Sequence, residues 1–373
     1  MLERAKRDQK IRINTVCGEL EIERDYCYCR ICGHAEAPLD ERLKLTGLPH
    51  KMTQELMLEV AYYGQNQSSF TDASDMLKRA KGLEISKETV RTVTEEIGRK
   101  VFEADTQKAE HLVNNMYEIE MTDDAQKTEG ALYIMTDGAA VNTRVEDENG
   151  STWRENKTAI AFTDKDMIKR KNGDHIIIEK EYTAFIGTAE SFRGYVLNTA
   201  VNSGYGKMKD AVILGDGAAW IRNMGNELFP DAVQILDLYH LKENIYTYAK
   251  HKFSQNEKEY VPWAEDFIDK IEKGKAPEAL LLLPEEEKLP VGVVNLRTYI
   301  TNNIDKINYP AYKAKGYFVG SGAIESANKV IVQRRLKQAG MRWSVSGAQA
   351  VLTLRAKVES KLWDADVKAL FAA

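Results

Sequence analysis

Apolar residues alternate with a period of two near the start of the chain. Ile11 and Ile13, then Leu20-Glu21-Ile22-Glu23, line one side of a ribbon, which predicts a small β-hairpin over Ile11 to Tyr28. After Pro38 the period lengthens. Thr53 to Tyr63 reads as a helix closed by Gly64, and a second helix covers Ser69 to Ala80. Ser86 is a plausible N-cap for a third, with Val90, Val93 and Ile97 on one face. Helix, short glycine turn and helix form the outline of a helix-turn-helix, which offers the first residues of its second helix to the major groove. Ser86, Lys87, Thr89 and Arg91 are therefore candidate DNA contacts, with a plain helical hairpin as the alternative.

An acidic helical connector, Glu103 to Glu129, leads to the strand-forming part of the chain. Strands are predicted over Leu132 to Val141, Thr158 to Thr163 and His175 to Ile186, the last around the β-branched Ile176-Ile177-Ile178. Helix Ala189 to Val201, strand Ala211 to Leu214, helix Trp220 to Phe229, strand Val233 to Leu236 and a helix after Tyr239 follow. Three strands and then alternating helix and strand predict a mixed α/β sheet with helices on its faces. From 242 to 318 the pattern is helical and broken by Pro277, Pro284 and Pro290, and helices over Ala323 to Lys337 and Val345 to Lys361 close the chain. The expected division is a cysteine-bearing β knob at 1–48, a helical DNA-binding region and connector at 49–128, and an α/β domain at 129–373 with a helical insertion.

Length supports more than one core: 373 residues exceed what a single ordinary core holds. No apolar run reaches the roughly 20 residues that cross a bilayer, and Met1 to Arg7 precedes no secretory h-region, so a cytoplasmic location is expected. The net charge of −5 weighs against DNA as a partner, but its distribution restores the possibility. Acidic residues gather in Glu118–Glu129 and Glu278–Glu287, while Lys329, Arg334, Arg335, Lys337 and Arg342 form a basic cluster of candidate DNA contacts. Trp220 and Trp343 read as core aromatics in preference to stacking on a base.

All four cysteines, Cys17, Cys27, Cys29 and Cys32, fall near the amino terminus. Cys29-Arg30-Ile31-Cys32-Gly33 has the spacing of half a zinc knuckle, which Cys27 and Cys17, or His34, could complete; reduced, unliganded thiols are the alternative.

Two aspartates end apolar runs and are followed by glycine, Asp137 and Asp216, and Glu325 opens a helix. A strand aims its last side chain rigidly, and three carboxylates suffice to bind Mg²⁺ or Mn²⁺ for two-metal phosphoryl transfer. Asp237, in Asp237-Leu-Tyr-His240, also ends a strand and competes for the second place. Asp216 is preferred as lying beside the first strand, with Asp237 and His240 in support.

These residues carry a resemblance. Gly320-Ser-Gly-Ala-Ile-Glu325-Ser-Ala-Asn-Lys329, Arg335-Leu-Lys-Gln-Ala-Gly340-Met-Arg-Trp343-Ser and Gln349 to Arg355 resemble the C-terminal signature of bacterial insertion-sequence transposases of the ISKra and ISLre type. Leu214 to Ile221 and Leu236 to Leu241 are similar to two further blocks, and Cys29 to Arg42 to the family's cysteine turn. The resemblance implies a DDE transposase with a ribonuclease H-like catalytic domain, acids at Asp137, Asp216 and Glu325, and Asp237 and His240 as an Asp-x-x-His element. It also implies element-end and target DNA as partners and at least a dimer on DNA. Members often have more sequence ahead of the cysteines, so a shortened amino terminus is expected.

Overall fold

The computed structural model describes residues 3–43, 49–169, 175–320 and 322–372. Contacts divide the chain into two compact units: Met1–Ala104 with Asn142–Thr152 and Gln333–Ala373, and Asp105–Val141 with Trp153–Val332. This differs from the sequential division at 48 and 128. The last 41 residues fold with the amino-terminal unit because their apolar residues are spent there: Leu354, Trp363 and Val367 share a core with Leu56, Val60, Leu77, Val90, Val93 and Ile97.

In the first unit, β1 (Glu3–Thr15) and β2 (Gly18–Tyr28) form the predicted hairpin, with β3 (Ala35–Glu36) added at its end. Ile11 pairs with Ile22 and Ile13 with Leu20, so the period-two pattern sets the register. The three helices follow at Gln54–Asn66, Phe70–Lys81 and Lys87–Asn114. The second ends on Gly82 at φ 69°, whose N–H reaches the Lys78 carbonyl while that of Leu83 reaches Leu77, a left-handed cap that only glycine adopts freely. Ser86 caps the third, its Oγ accepting the Thr89 N–H at 3.1 Å.

Against this trio lies Val345–Glu359, buried continuously from Gly347 to Lys357. Gly98 permits the approach, since a Cβ there would stand 2.5 Å from the Ala350 carbonyl oxygen.

The second unit is built on a five-stranded sheet of β4 (Thr128–Asn142), β5 (Trp153–Thr163), β8 (Glu181–Ile186), β9 (Met208–Gly215) and β10 (Val233–Leu236), in the order β10-β9-β4-β5-β8. The pairs β4–β9 and β9–β10 are parallel and β5–β8 is antiparallel, which makes the sheet mixed, as the α/β expectation required. The single strand expected from His175 to Ile186 is two. His175–Ile177, β7, pairs with β6 (Met167–Lys169) in a separate ribbon, and the charged pair Glu179-Lys180 separates it from β8.

Helices Ala189–Asn202, Ala219–Leu228 and Leu238–Lys252 join the later strands. The helical stretch then runs through Glu257–Glu272, Ala276–Leu280, Leu296–Asn302 and Tyr309–Ala314. Its Phe267, Ile271, Ile300 and Tyr309 merge into one core with Val212, Leu214, Ile235 and Leu241 of the sheet and its following helix. The helix carrying Glu325 is Gly322–Asn328, which opens into a π turn, Lys329–Gln333, before Arg334–Leu336. Among the described residues no helix is long and apolar enough to cross a membrane.

The glycine contact yields a test. Gly98→Ala adds helix propensity of up to about 1 kcal/mol, yet drives a methyl into a backbone carbonyl that no rotamer change relieves. A net loss of about 1–3 kcal/mol is expected, measured as a lower midpoint in urea unfolding.

Candidate functional site

Register brings three acids to one level in the second unit. Met135 of β4 pairs with Leu214 of β9, and Leu236 of β10 with Gly215 of β9. Continued by one or two residues, these ladders set Asp137, Asp216 and Asp237 side by side, at a strand spacing of about 4.8 Å. The last two stand just past the carboxyl ends of β9 and β10, and Asp137 lies within β4, where its pairing with β9 stops and β4 runs on to Asn142. The Asp237 N–H donates to the Gly215 carbonyl at 2.8 Å and so extends the ladder to the acid itself. Asp216 therefore lies between the other two, next to Asp137, and Asp237 is one strand further out.

Each acid has a different environment. Asp237 is fully buried and caps the helix Leu238–Lys252, accepting the N–H groups of Tyr239 at 3.0 Å and His240 at 3.3 Å. The same carboxylate binds Nδ1 of His240. This bond, followed by the charges of Asp137 and Asp216, pushes the His240 imidazole up to about 9 against the opposing effect of burial, so it is a cation at neutral pH.

Asp137 is half-buried. Its Oδ1 accepts the Gly138 N–H at 2.7 Å and its Oδ2 accepts Nδ2 of Asn328 at 2.6 Å. Its carboxyl is pushed up, chiefly by burial with the Asp216 charge adding, while Gly138, His240 and Asn328 act in the opposite sense. Asp216 Oδ1 accepts the Ala218 N–H at 2.9 Å, and its carbonyl oxygen accepts the Tyr299 hydroxyl at 2.6 Å. Gly217 sits at φ 90°, and an added Cβ would meet Leu236 at 2.9 Å, so the glycine after Asp216 is required by both conformation and space. Gly138 has no such need.

Glu325 departs from the expectation. Among the described residues no three or more His, Cys, Asp or Glu side chains are set to hold one metal ion. The Glu325 side chain is exposed on Gly322–Asn328, and Asn328, one turn later on the same helix, takes the inward place. Ser321, just before this helix, lies outside the described residues. Sequence reading missed Asn328, although its i+3 relation to Glu325 within the same block was the available signal. Tyr299 carried no signal at all.

The donor set nevertheless suits a hard cation. Asp137 and Asp216 crowd negative charge into a half-buried site, and the buried Oδ1 of Asn328 has no hydrogen-bond partner. Carboxylate and amide oxygens are the ligands that Mg²⁺ and Mn²⁺ prefer.

The first unit receives the remaining candidates. Ser86, Lys87, Thr89 and Arg91 occupy the start of Lys87–Asn114, where Arg91 pairs with Glu88 at 3.1 Å and Glu95 at 3.0 Å. Arg334 and Arg342 are exposed, but Arg335 is 1% exposed and cannot present its guanidinium as a surface contact. Its Nε and Nη2 both donate to the Gly64 carbonyl at 3.2 Å. Lys329, also exposed, precedes them in the second unit.

At the end of the hairpin Cys29 accepts the Gly33 N–H on its carbonyl, and Cys32 holds the Cys29 thiol below its ordinary value through hydrogen bonds. Cys27 is at the adjoining strand end. Cys17 is in the opposite turn, the length of β2 away, roughly 30 Å at 3.4 Å per residue, so it cannot complete a shell with the other three. His34 Nε2 is 3.0 Å from Glu36.

A family profile described as "Uncharacterised protein family (UPF0236)" matches residues 3–366. The chain belongs to that family. One UPF0236 relative, "UPF0236 protein TTE2489" of Caldanaerobacter subterraneus subsp. tengcongensis, is 24% identical over 352 residues, 94% of this chain and 68% of the relative. A second from the same organism, equally similar, bears a name that joins eleven locus designations, TTE0033 through TTE2212. Among solved structures, the Drosophila P element transposase strand transfer complex matches 87% of this chain and 84% of that chain, at 10% identity and a TM-score of 0.25, which is too low to carry an argument.

The His240 environment has a pH signature. Its folded value of about 9 exceeds the ordinary 6.5, so its contribution to stability is complete below pH 6.5 and is lost as pH rises through 9. NMR titration of the imidazole should give a midpoint near 9, and Asp237→Asn should return it toward 6.5. An unchanged midpoint in the variant contradicts the assignment of its cause.

Proposed function

We propose that this UPF0236 protein is a DDE-type transposase that cuts the ends of an insertion sequence and joins the freed 3′-hydroxyls to target DNA. The observation that carries the reading is the pair Asp137 and Asp216, set in register on adjacent parallel strands where their pairing stops, with the unpartnered oxygen of Asn328 beside them. The strand order β10-β9-β4-β5-β8, with the first and fourth strands of the sheet side by side, supports a ribonuclease H-like assignment. A relative whose one name covers eleven loci of a single genome supports mobility, because a dispersed element leaves many copies of its gene.

In this reading Asp137, Asp216 and the Asn328 amide oxygen would hold Mg²⁺ or Mn²⁺, with Glu325, on the same helix as Asn328, as the third acid. Such ions would supply activation of the attacking oxygen and stabilisation of the leaving one in an in-line displacement. Asp237 does not act on substrate. It fixes His240, whose positive charge offsets the carboxylates and faces the phosphodiester. Tyr299 holds the Asp216 backbone in place. Element-end and target DNA are the partners, and pairing two ends calls for at least two copies of the chain.

Joining of a labelled element end to plasmid DNA in Mg²⁺ or Mn²⁺ tests this. Asp137→Asn and Asp216→Asn should each reduce joining to about a thousandth or less, and Glu325→Gln should do the same. Asp237→Asn should leave measurable joining. Cleavage without joining would favour a metal-dependent nuclease, and binding alone a DNA-binding relic. If Asp237→Asn abolishes joining while Asp216→Asn does not, the second acid is Asp237.

A further inference from the structure

A cavity of about 280 Å³ lies wholly within the first unit, apart from the acids. Three helices begin at its wall: Phe70–Lys81 with its cap Ser69, Lys87–Asn114, and Val345–Glu359 with its cap Ser344. Helix N-termini carry partial positive charge, and all three helices are long enough to do so, although Ser69, Ser86 and Ser344 each accept one N–H of the first turn. The wall also gathers Lys87, Arg91, Arg144, Arg335 and Arg342 against only Glu88 and Glu95, so cations outnumber carboxylates five to two. Both acids are engaged by Arg91 and Arg335 has the Asp72 charge near it, which leaves Lys87, Arg144 and Arg342 without a carboxylate in the wall to answer them.

Two aromatic rings, Phe70 and Trp343, join the lining beside Ser69, Thr71, Met341 and Ser344. Arg335 lies over the Phe70 ring at 4.4 Å and the Trp343 ring at 5.0 Å, and the two rings meet edge to face at 5.9 Å. The carboxyl-terminal segment joins this wall through Trp343, whose N–H donates to the Asn142 carbonyl and whose carbonyl accepts the Arg144 N–H.

An aromatic side chain beside a positive rim is the chemistry that recognises a nucleoside phosphate. The volume is just under the roughly 300 Å³ at which small-ligand pockets begin, room for one base and not for a duplex. A larger cavity in the same unit, about 740 Å³, sets Glu55, Glu59 and Asp364 against Lys81, Lys361 and Lys368 and has no such imbalance.

We infer that this cavity holds a single unpaired nucleotide of a DNA strand, its base against the partly exposed Phe70 and its phosphate among Lys87, Arg144 and Arg342. The choice of a DNA strand over a free nucleotide rests on the function proposed above; the nucleotide chemistry rests on the cavity alone. Arg144 enters this group through structure only, from a loop remote in sequence from the other cations.

Binding of a fluorescent single-stranded oligonucleotide of about twelve residues, followed by anisotropy in EDTA, tests the site without requiring any joining. The double variant Lys87→Glu, Arg342→Glu changes two exposed side chains and should keep the wild-type melting midpoint. It should weaken binding at least about tenfold at roughly 100 mM salt and lower the salt slope by about 0.7 for each phosphate that is no longer neutralised. Lys258→Glu, an exposed change in the second unit, should leave affinity within about twofold. Phe70→Leu keeps the apolar volume but removes the aromatic ring, and should weaken strand binding about fivefold or more. Equal affinity of the double variant and the wild type, or of Phe70→Leu and the wild type, overturns the site. Saturation by deoxyadenosine monophosphate with no affinity for the strand overturns its assignment to DNA, whereas strand binding without joining leaves the site standing and removes the transposase.

Discussion

Like charges at the end of a parallel sheet repel one another, and everything around Asp137, Asp216 and Asp237 is arranged to contain that repulsion. Parallel pairing forces the crowding, because β9 and β10 enter the sheet in the same sense as β4 and both stop at the level of Asp137, past which β4 runs on. Compensation is graded across the row. Asp237, fully buried, receives two backbone N–H groups and an imidazolium. Asp137, half-buried, receives one N–H and one amide, and its carboxyl remains pushed up. Asp216, half-buried between them, receives one N–H on its carboxylate. A cation gains most beside Asp137 and Asp216, the less compensated members of the row, which links the electrostatics of the fold to its proposed chemistry.

The helical stretch after Lys252 contributes to the same site. Tyr299 and Tyr309 each donate a hydroxyl to a strand-end carbonyl, that of Asp216 at 2.6 Å and that of Leu236 at 3.0 Å. Both carbonyls lie where the ladder stops and would otherwise lack a partner, so the insertion supplies hydrogen bonds that the sheet cannot. Its length in sequence separates Asp216 from Glu325, and its tyrosines fix the backbone from which Asp216 projects.

Local periodicity made much of this legible. Ile11, Ile13, Leu20 and Ile22 predict the hairpin and its register, and Val90, Val93 and Ile97 predict a helix face that is buried. Strand ends at Asp137 and Asp216 could be read because apolar runs stop there. What sequence did not reveal depends on long-range choices. Whether His175 to Ile186 is one strand or two depends on which partner each half finds, and the first half pairs with Met167–Lys169. Cys17 matches its fellow cysteines in sequence distance but not in space, because an extended strand carries it away from them. Asn328 is chemically unremarkable until a helix turns it toward Asp137.

Arg335 shows most clearly why charge counting along a sequence falls short. An arginine in a basic run reads as a solvated contact, yet this one is buried, and burial lowers its affinity for a proton to about 10. It remains cationic at neutral pH, so its desolvation has to be offset. The Gly64 carbonyl accepts two of its N–H groups, and the Phe70 and Trp343 rings supply their negative faces. Gly64 has its own reason to lack a side chain: a Cβ there would stand 2.0 Å from the Thr94 hydroxyl. Close packing of two helices, placement of one carbonyl and retention of one buried positive charge are thus a single arrangement. A cation held this way cannot swing out to a surface phosphate, but it gives the cavity it lines a fixed positive wall that needs no reorganisation when an anion arrives.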